Sequence, residues 1–302
     1  MRTSVFISLC LAATAWGQPG GVNGPTSGYV FDGESRSLRP IRGVAGIAHL
    51  GAALVADADA ASVSNDGTLA VSSRLGSIEL IRDFDSAAPL RVVLAQEPGS
   101  VLFAWSGHDL AAVLTAARKV LIWRDGPTHA PASFSISGID GDIRRALLEG
   151  EKLVIAAKGG LYLVKNGETT RLATLEEPSA MILSGGDLFA ADFATGQVLR
   201  IRDYAGSAAI ETFATVGQPV GLQIVRRNLL VASAKTRSVD VFDVATKVQT
   251  GSVELDFLPT RMESVGTRPL ALLNEGSPGE PLYVLDSKDS PQVYFVPAGR
   301  EQ

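Results

Sequence analysis

The sequence repeats a pair of short apolar runs with a period of about 41 residues, and this periodicity constrains the fold more than any other feature. The second run of each pair recurs at steps of 37 to 43 residues, and the first run begins 8 to 12 residues before it. A period near 40 that is built from short strands is typical of a β-propeller with one blade per repeat. The first runs begin at Leu69, Leu110, Leu153, Leu188, Leu229 and Leu270, and the second runs begin at Ile78, Val120, Leu161, Val198, Val239 and Leu282.

The first repeat shows the order of strands and turns that the others follow. A short run at 61–64 leads into Asn65-Asp66-Gly67, and an Asp-Gly pair favours a tight turn between antiparallel strands. Residues 68–73 and 77–82 then form two further strands, and residues 90–94 form a more polar outer strand. Each repeat therefore predicts one four-stranded blade.

One segment at the N-terminal side stands outside the six repeats. Residues 28–32 share Val-Phe-Asp with residues 239–243, and an outer-strand candidate follows at 38–44. The segment therefore looks like the second half of a blade. We expect an all-β chain with a single β-propeller domain over residues 18–302, built from six four-stranded blades, with this N-terminal hairpin as a clasp that closes the ring. Seven blades remain the alternative, if residues 29–44 organise a small sheet of their own.

Several motifs resemble known propeller repeats. Ser64-Asn65-Asp66-Gly67 followed by Leu69-Ala70-Val71 resembles the turn of the YVTN-type and WD-repeat-like bacterial propellers, with Asn65 at the place of the usual proline. Residues 218–222, 229–232 and 239–242 together resemble the NHL-type repeat, as do residues 188–192 and 196–198. The true WD-repeat signature of one Gly-His and one Trp-Asp pair in each blade is missing: Arg124 follows Trp123, and Trp105 lies in a different position. The resemblance implies the propeller fold and carries no particular activity.

The N-terminus predicts export from the cytoplasm. Arg2 precedes an uncharged, mostly apolar stretch at 5–16, which is shorter than a membrane-spanning helix and typical of a signal peptide. Cleavage after Gly17 is favoured, and cleavage after Ala15 is the alternative. The only cysteine, Cys10, lies inside this stretch, so the mature chain has no thiol for a disulfide, a metal or a nucleophile.

Composition excludes some function classes for the mature chain. The net charge is −5, which argues against a nucleic-acid-binding protein. No further apolar run reaches the length of a membrane span. We therefore expect a soluble monomer in the periplasm or outside the cell, with no bound cofactor.

Carboxylates in the loops are the candidates for a metal site. Propeller hydrolases and lactonases hold a divalent ion at one mouth of the channel, and hard oxygen ligands suit calcium or magnesium. The weak candidates are Asp57, Asp140, Asp142 and Asp192, with Asp59 and Asp66 as further loop acids. Acids in turns are more often solvated than bound to metal, so this site is the alternative and not the expectation.

Other chemistry is poorly marked in the sequence. His49, His108 and His129 lie far apart, and no Gly-x-Ser-x-Gly elbow places a serine nucleophile. Adjacent strand residues point to opposite faces, so only one arginine of each adjacent pair can face a given side of a sheet. Arginines that could form an anion-binding patch, or pair with surface acids, are Arg144, Arg145, Arg200, Arg202, Arg226 and Arg227.

These observations favour a non-catalytic binding or protein-interaction module whose ligand is a protein or a small molecule on a loop face. The catalytic residues of an enzyme cannot be named from this sequence. The alternative is a metal-dependent propeller hydrolase or lactonase with carboxylates at the channel mouth.

The signal peptide gives a direct prediction. If the chain is expressed with its own N-terminus in a bacterium, the protein recovered from the exported fraction should begin at Gln18, because the small residues Ala15 and Gly17 fit the cleavage site. Intact-mass measurement distinguishes this product from the product that begins at Trp16. A full-length mass in the cytoplasmic fraction would contradict the prediction.

Overall fold

The computed structural model describes residues 24–44, 46–266, 269–275, 280–288 and 290–297. In this part of the chain every regular element is a β-strand, and the strands form seven antiparallel sheets. A search of the same residues for a helix long and apolar enough to cross a membrane finds none. The predicted signal peptide, 1–17, lies outside the described residues.

Six sheets have four strands each, and in every one the strands are neighbours in chain order. Blade 2 consists of β4 (Ala60–Val63), β5 (Leu69–Arg74), β6 (Ser77–Arg82) and β7 (Leu90–Gln96). Blade 3 consists of β8 (Val101–Ser106), β9 (Asp109–Leu114), β10 (Lys119–Trp123) and β11 (Ala132–Ser135). Blade 4 consists of β12 (Ile143–Glu149), β13 (Lys152–Ala157), β14 (Gly160–Lys165) and β15 (Glu168–Ala173). Blade 5 consists of β16 (Pro178–Ser184), β17 (Asp187–Asp192), β18 (Gln197–Arg202) and β19 (Ala209–Thr215). Blade 6 consists of β20 (Pro219–Val225), β21 (Asn228–Ser233), β22 (Ser238–Asp243) and β23 (Gln249–Glu254). Blade 7 consists of β24 (Glu263–Ser264), β25 (Leu270–Leu272), β26 (Leu282–Asp286) and β27 (Gln292–Val296).

The seventh sheet, blade 1, comes first in the chain and has three described strands. They are β1 (Thr26–Asp32), β2 (Ser37–Arg42) and β3 (His49–Leu50), in the order β1-β2-β3. The chain beyond β3 continues alongside β2, where Leu38 and Val55 form an isolated antiparallel bridge.

The first strand of each four-stranded blade is its innermost strand. Contacts between neighbouring blades run from β4 to β8, β8 to β12, β12 to β16, β16 to β20 and β20 to β24. These strands therefore surround the central channel. We call the face at which they begin the upper face and the face at which they end the lower face.

The middle strands of each blade carry the core because a neighbouring blade covers each of their faces. In β9, for example, Leu110 to Val113 are all fully buried, whereas in the outer strand β7 Leu90 and Val93 are exposed. Seven apolar clusters lie between the blades, one at each junction of the ring. The two phased apolar runs of the sequence are these middle strands, so the predicted β-propeller is confirmed.

Two ion pairs show in which direction β1 runs. The turn that follows β1 lies at the upper face, since Arg36 Nη2 is 2.5 Å from Oδ1 of Asp59, just before β4. At the other end of the hairpin, Arg42 pairs with Asp85 in the β6–β7 turn at the lower face. β1 therefore runs from the lower to the upper face, as the second strand of every other blade does.

Blade 1 thus corresponds to the second, third and fourth strands of a blade, and the described residues include no innermost strand for it. The prediction of six blades is wrong, and the alternative of seven blades is confirmed. The N-terminal hairpin does not complete the last blade but belongs to a separate sheet. Its match to residues 239–243, which lie in a third strand, was misleading because β1 is a second strand. Asp32 ends β1 as Asp192 ends the second strand β17, and both carboxylates accept N–H groups of the turn that follows.

Side-chain packing between blade 1 and blade 7 closes the ring. Gly28 of β1 lies so close to blade 7 that a Cβ atom there would be 2.2 Å from Cγ1 of Val265. The cluster at this junction unites blade 1 residues with blade 7 residues: Val30, Ile41, Ala48, Leu50, Val265, Leu270, Leu272, Leu282, Val284 and Val296.

A glycine at the next junction gives a stability prediction. A Cβ on Gly221 of β20 would lie 2.1 Å from Cβ and 2.3 Å from N of Met262, so the innermost strands of blades 6 and 7 would have to separate. We expect Gly221→Ala to lower the free energy of unfolding by about 2 kcal/mol or more. Denaturant unfolding measures this change.

The matched control is Gly251→Ala in the outer strand β23, where a Cβ would meet nothing within 4 Å. This variant should leave the free energy of unfolding nearly unchanged. Equal effects of the two substitutions would contradict the close approach of blades 6 and 7.

Candidate ligand-binding site in the central channel

The innermost strands enclose a cavity of about 840 Å³ on the channel axis. Its walls come from β1, β4, β8, β12, β16 and the segment around β24, and several wall residues are apolar, including Leu102, Phe103, Leu147 and Ile182. Ligand pockets of about 300–1,000 Å³ hold small molecules, so the cavity has room for a ligand.

An ion pair spans the channel at the upper end of this cavity. Nη1 of Arg145, in β12 of blade 4, is 2.8 Å from Oε1 of Glu263, in β24 of blade 7. Nε of Arg145 also donates to the carbonyl oxygen of Ser179 in blade 5, at 3.2 Å. Both side chains of the ion pair are more than 40% exposed, so solvent screens it and its contribution to stability is small.

Arg261 lies beside this ion pair and is not fully satisfied. Its side chain is only 11% exposed, Nε donates to the carbonyl oxygen of Asn274 at 3.0 Å, and Nη1 donates to Oε2 of Glu263 at 3.3 Å. Nη2 is buried and has no hydrogen-bond partner among the described residues. A buried donor without an acceptor costs about 1–3 kcal/mol, so a ligand that supplied an acceptor here would gain from it.

A second recess of about 320 Å³ adjoins the same mouth. It is lined by residues that include Arg144, Ser179, Phe193 and Thr260, and Nη2 of Arg144 is 3.4 Å from Oε1 of Glu177. The upper mouth therefore combines arginines with glutamates in nearly equal number. A surface with both signs of charge does not attract one sign of charge strongly.

The four carboxylates proposed as metal ligands all lie at the upper face but have separate surroundings. Asp57 pairs with Arg74 at 3.3 Å, and Asp140 and Asp142 are exposed just before β12. The Asp192 carboxylate is buried and accepts backbone N–H groups from residues 176, 177, 194 and 195. Within the described ranges no three His, Cys, Asp or Glu side chains come together as a metal site would require. Calcium or magnesium binding therefore stays a prediction.

The two further loop acids are also engaged. Asp59 binds Arg36 and the N–H of Leu75. Asp66, at the lower face, accepts from the Ser64 hydroxyl at 2.6 Å and lies 2.8 Å from Nε2 of His108. Hydrogen bonds hold the pKa of the Asp66 carboxyl far below its usual range. The Ser64 hydroxyl has the largest effect, and His108 and Thr68 have smaller ones.

The remaining histidines and arginine pairs are dispersed. His49 lies in blade 1, whereas His129 follows β10 in blade 3, where Nδ1 is 3.0 Å from the Thr128 hydroxyl. Arg226 and Arg227 lie in the β20–β21 turn at the lower face, opposite Arg144 and Arg145. Arg200 and Arg202, at the end of β18, also lie at the lower face and pair with Glu211. The six arginines therefore divide between the two faces and do not form one patch.

A second polar cluster lies at the lower face. Tyr204 donates to Oε2 of Glu149 at 2.6 Å, and Nζ of Lys152 is 2.7 Å from the same oxygen. Lys152 and then Tyr204 lower the pKa of Glu149, whereas burial and the Glu149 carboxylate raise the pKa of Tyr204. Every polar group of this cluster has a partner, which is typical of a structural role.

Sequence reasoning missed Arg261 and Glu263. Both lie at the start of blade 7, where β24 has only two residues, so no period-2 pattern marks the strand. Arg145 was recognised only as one of several paired arginines, because its partner is 118 residues away in the chain.

No known protein-family model matches the chain, and no curated protein sequence matches it. Solved structures match its fold. A chain of the mitotic checkpoint complex is 12% identical, with a TM-score of 0.61 over 100% of this chain and 91% of that chain. AztD from Citrobacter koseri is 13% identical, with a TM-score of 0.57 over 89% of this chain and 94% of that chain. Hsv2 from Kluyveromyces lactis is 14% identical, with a TM-score of 0.55 over 75% and 73%. At these identities the likeness shows the fold alone.

The buried carboxylate gives a stability prediction. Asp192→Ala should lower the free energy of unfolding by about 3 kcal/mol, because several backbone N–H groups lose their acceptor. Asp142→Ala, at an exposed position on the same face, is the control and should change it little. If the two substitutions destabilise the protein equally, the structural role of Asp192 is contradicted.

Proposed function

We propose that the chain is an exported, non-catalytic β-propeller that binds a ligand or a partner protein through the upper mouth of its central channel. The observation that carries this proposal is the arrangement of Arg145, Glu263 and Arg261 above the apolar cavity, where one buried guanidinium nitrogen has no hydrogen-bond partner among the described residues. This arrangement offers recognition by hydrogen bonds and charge.

The chemistry of the mouth supports binding. Its charged side chains are held in ion pairs, and the hydroxyl of Ser179, whose carbonyl oxygen accepts from Arg145, donates to backbone carbonyl groups. Recognition sites commonly join an apolar wall with a few fixed polar groups, and this mouth has both.

Support for export comes from the N-terminal sequence alone. Arg2 and the apolar stretch at 5–16 are typical of a cleaved signal peptide, which would place the propeller in the periplasm or outside the cell.

Site-specific photo-cross-linking tests the binding surface. A photoreactive amino acid at Leu102, which lines the cavity, should give a discrete adduct in the exported fraction of the source organism. The same amino acid at Ser252, exposed on the outer strand β23, should not. Arg261→Gln should weaken the Leu102 adduct, since it removes the unpaired donor.

Arg202→Gln is the matched control for the charge change, because Arg202 is 56% exposed and lies away from the channel. It should leave the adduct unchanged. No adduct from Leu102, or identical adducts from both positions, would overturn binding at the channel mouth.

A further inference from the structure

The edge of β1 that faces the channel carries backbone groups for which the described residues supply no strand partner. Pro40 accepts from the N–H of Gly51 and Leu38 accepts from the N–H of Leu54, so both of these β2 residues direct their backbone groups toward β3. Tyr29 and Phe31 stand opposite Pro40 and Leu38 in the register. Hydrogen bonds alternate along an antiparallel ladder, so the N–H and C=O groups of Tyr29 and Phe31 point away from β2.

These backbone groups open onto the cavity. Tyr29 and Phe31 both line the cavity. Among the described residues, the backbone N–H and C=O groups of these two residues form no hydrogen bond with a backbone group outside β2. In the other six blades this position is occupied by an innermost strand. Unpaired strand edges are templates for a further strand, and peptide recognition by strand addition uses such edges.

The upper mouth indicates which peptide would fit. In blade 5, Glu177 immediately precedes the innermost strand β16 and pairs with Arg144. In blade 7, Glu263 begins the innermost strand β24 and pairs with Arg145 and Arg261. An acidic residue held by arginine thus precedes or begins two innermost strands at the upper mouth, and within the described part of the chain Nη2 of Arg261 has no acceptor there.

From these observations we infer that blade 1 binds an extended peptide of a partner protein as its innermost strand, antiparallel to β1, with an acidic residue at the amino end of an apolar run. The acidic side chain meets Arg261 at the upper mouth, and the apolar run fills the cavity. This inference rests on the proposed function and names the partner chemistry of the same site.

A synthetic peptide that copies residues 177–184, Glu-Pro-Ser-Ala-Met-Ile-Leu-Ser, is the probe, because this segment fills the same position in blade 5. Amide hydrogen exchange is followed by NMR in the mature protein with and without peptide. The peptide should slow exchange at Tyr29 and Phe31 by at least about tenfold. The amides of Val30 and Asp32, which face β2, are internal controls and should not change.

Two modified peptides test the chemistry without altering the fold. A peptide that is N-methylated at alternate residues keeps its side chains but loses the donors that pair with β1, and it should give no protection. A peptide with glutamine in place of the glutamate should bind the native protein about tenfold more weakly than the glutamate peptide does. The Arg261→Gln variant should bind the two peptides equally well.

Several results would overturn the inference. If the Tyr29 and Phe31 amides are already protected in the free protein, the chain fills the position itself. If the peptide binds without slowing these two amides, or the N-methylated peptide protects them equally, strand addition is wrong although binding at the channel mouth stands. If the glutamine peptide binds as tightly as the glutamate peptide, the acidic end is wrong. Binding at the channel mouth is tested separately by the photo-cross-linking experiment, and it is contradicted if the photoreactive amino acid at Leu102 gives no adduct.

Discussion

The contact between blade 1 and blade 7 is the interaction on which the rest of the ring depends. Each blade has two apolar faces, and a neighbouring blade must cover each of them. Apolar side-chain packing joins the two ends of the described chain, and the two sheets share no described strand. Val30 and Ile41 of blade 1 lie in one cluster with Val265 and Leu282 of blade 7. Without this junction, two apolar faces would meet water, and every other cluster would lie in an open arc.

The way in which the ring closes also determines the channel. β1 runs in the direction of a second strand, and no described strand lies on its inner side, so the edge of β1 borders the cavity. The ion pair between Arg145 and Glu263 crosses the upper end of the same space. Closure of the ring and the shape of the cavity therefore both depend on blade 1, which contributes three described strands while its neighbours contribute four.

The sequence predicted the repeated part of this fold well, because two phased apolar columns identify middle strands that are buried on both faces. It could not identify the role of β1. Val30, Phe31 and Asp32 fit a second strand as well as a third, and the direction is determined by two distant contacts, from Arg36 to Asp59 and from Arg42 to Asp85.

The candidate site was predicted less completely than the fold. Arg145 was one of several arginines in adjacent pairs, and nothing local marks Arg261 or Glu263, which precede or begin a strand of two residues. Sites assembled from different blades depend on the closed ring, and local patterns do not report which loops it brings together. The loop acids illustrate the converse: Asp57, Asp140, Asp142 and Asp192 share a face, yet each has its own surroundings.

The most direct test of this account is the thermal unfolding of a chain that begins at Asp57 and therefore lacks blade 1. Removal of blade 1 uncovers Ala70 and Ile81 on one side and Leu270 and Leu282 on the other. The account predicts loss of the single cooperative transition, with broad unfolding at much lower temperature than in the chain that begins at Gln18. A cooperative transition within a few degrees of the longer chain would show that six blades close by themselves, and would contradict the account.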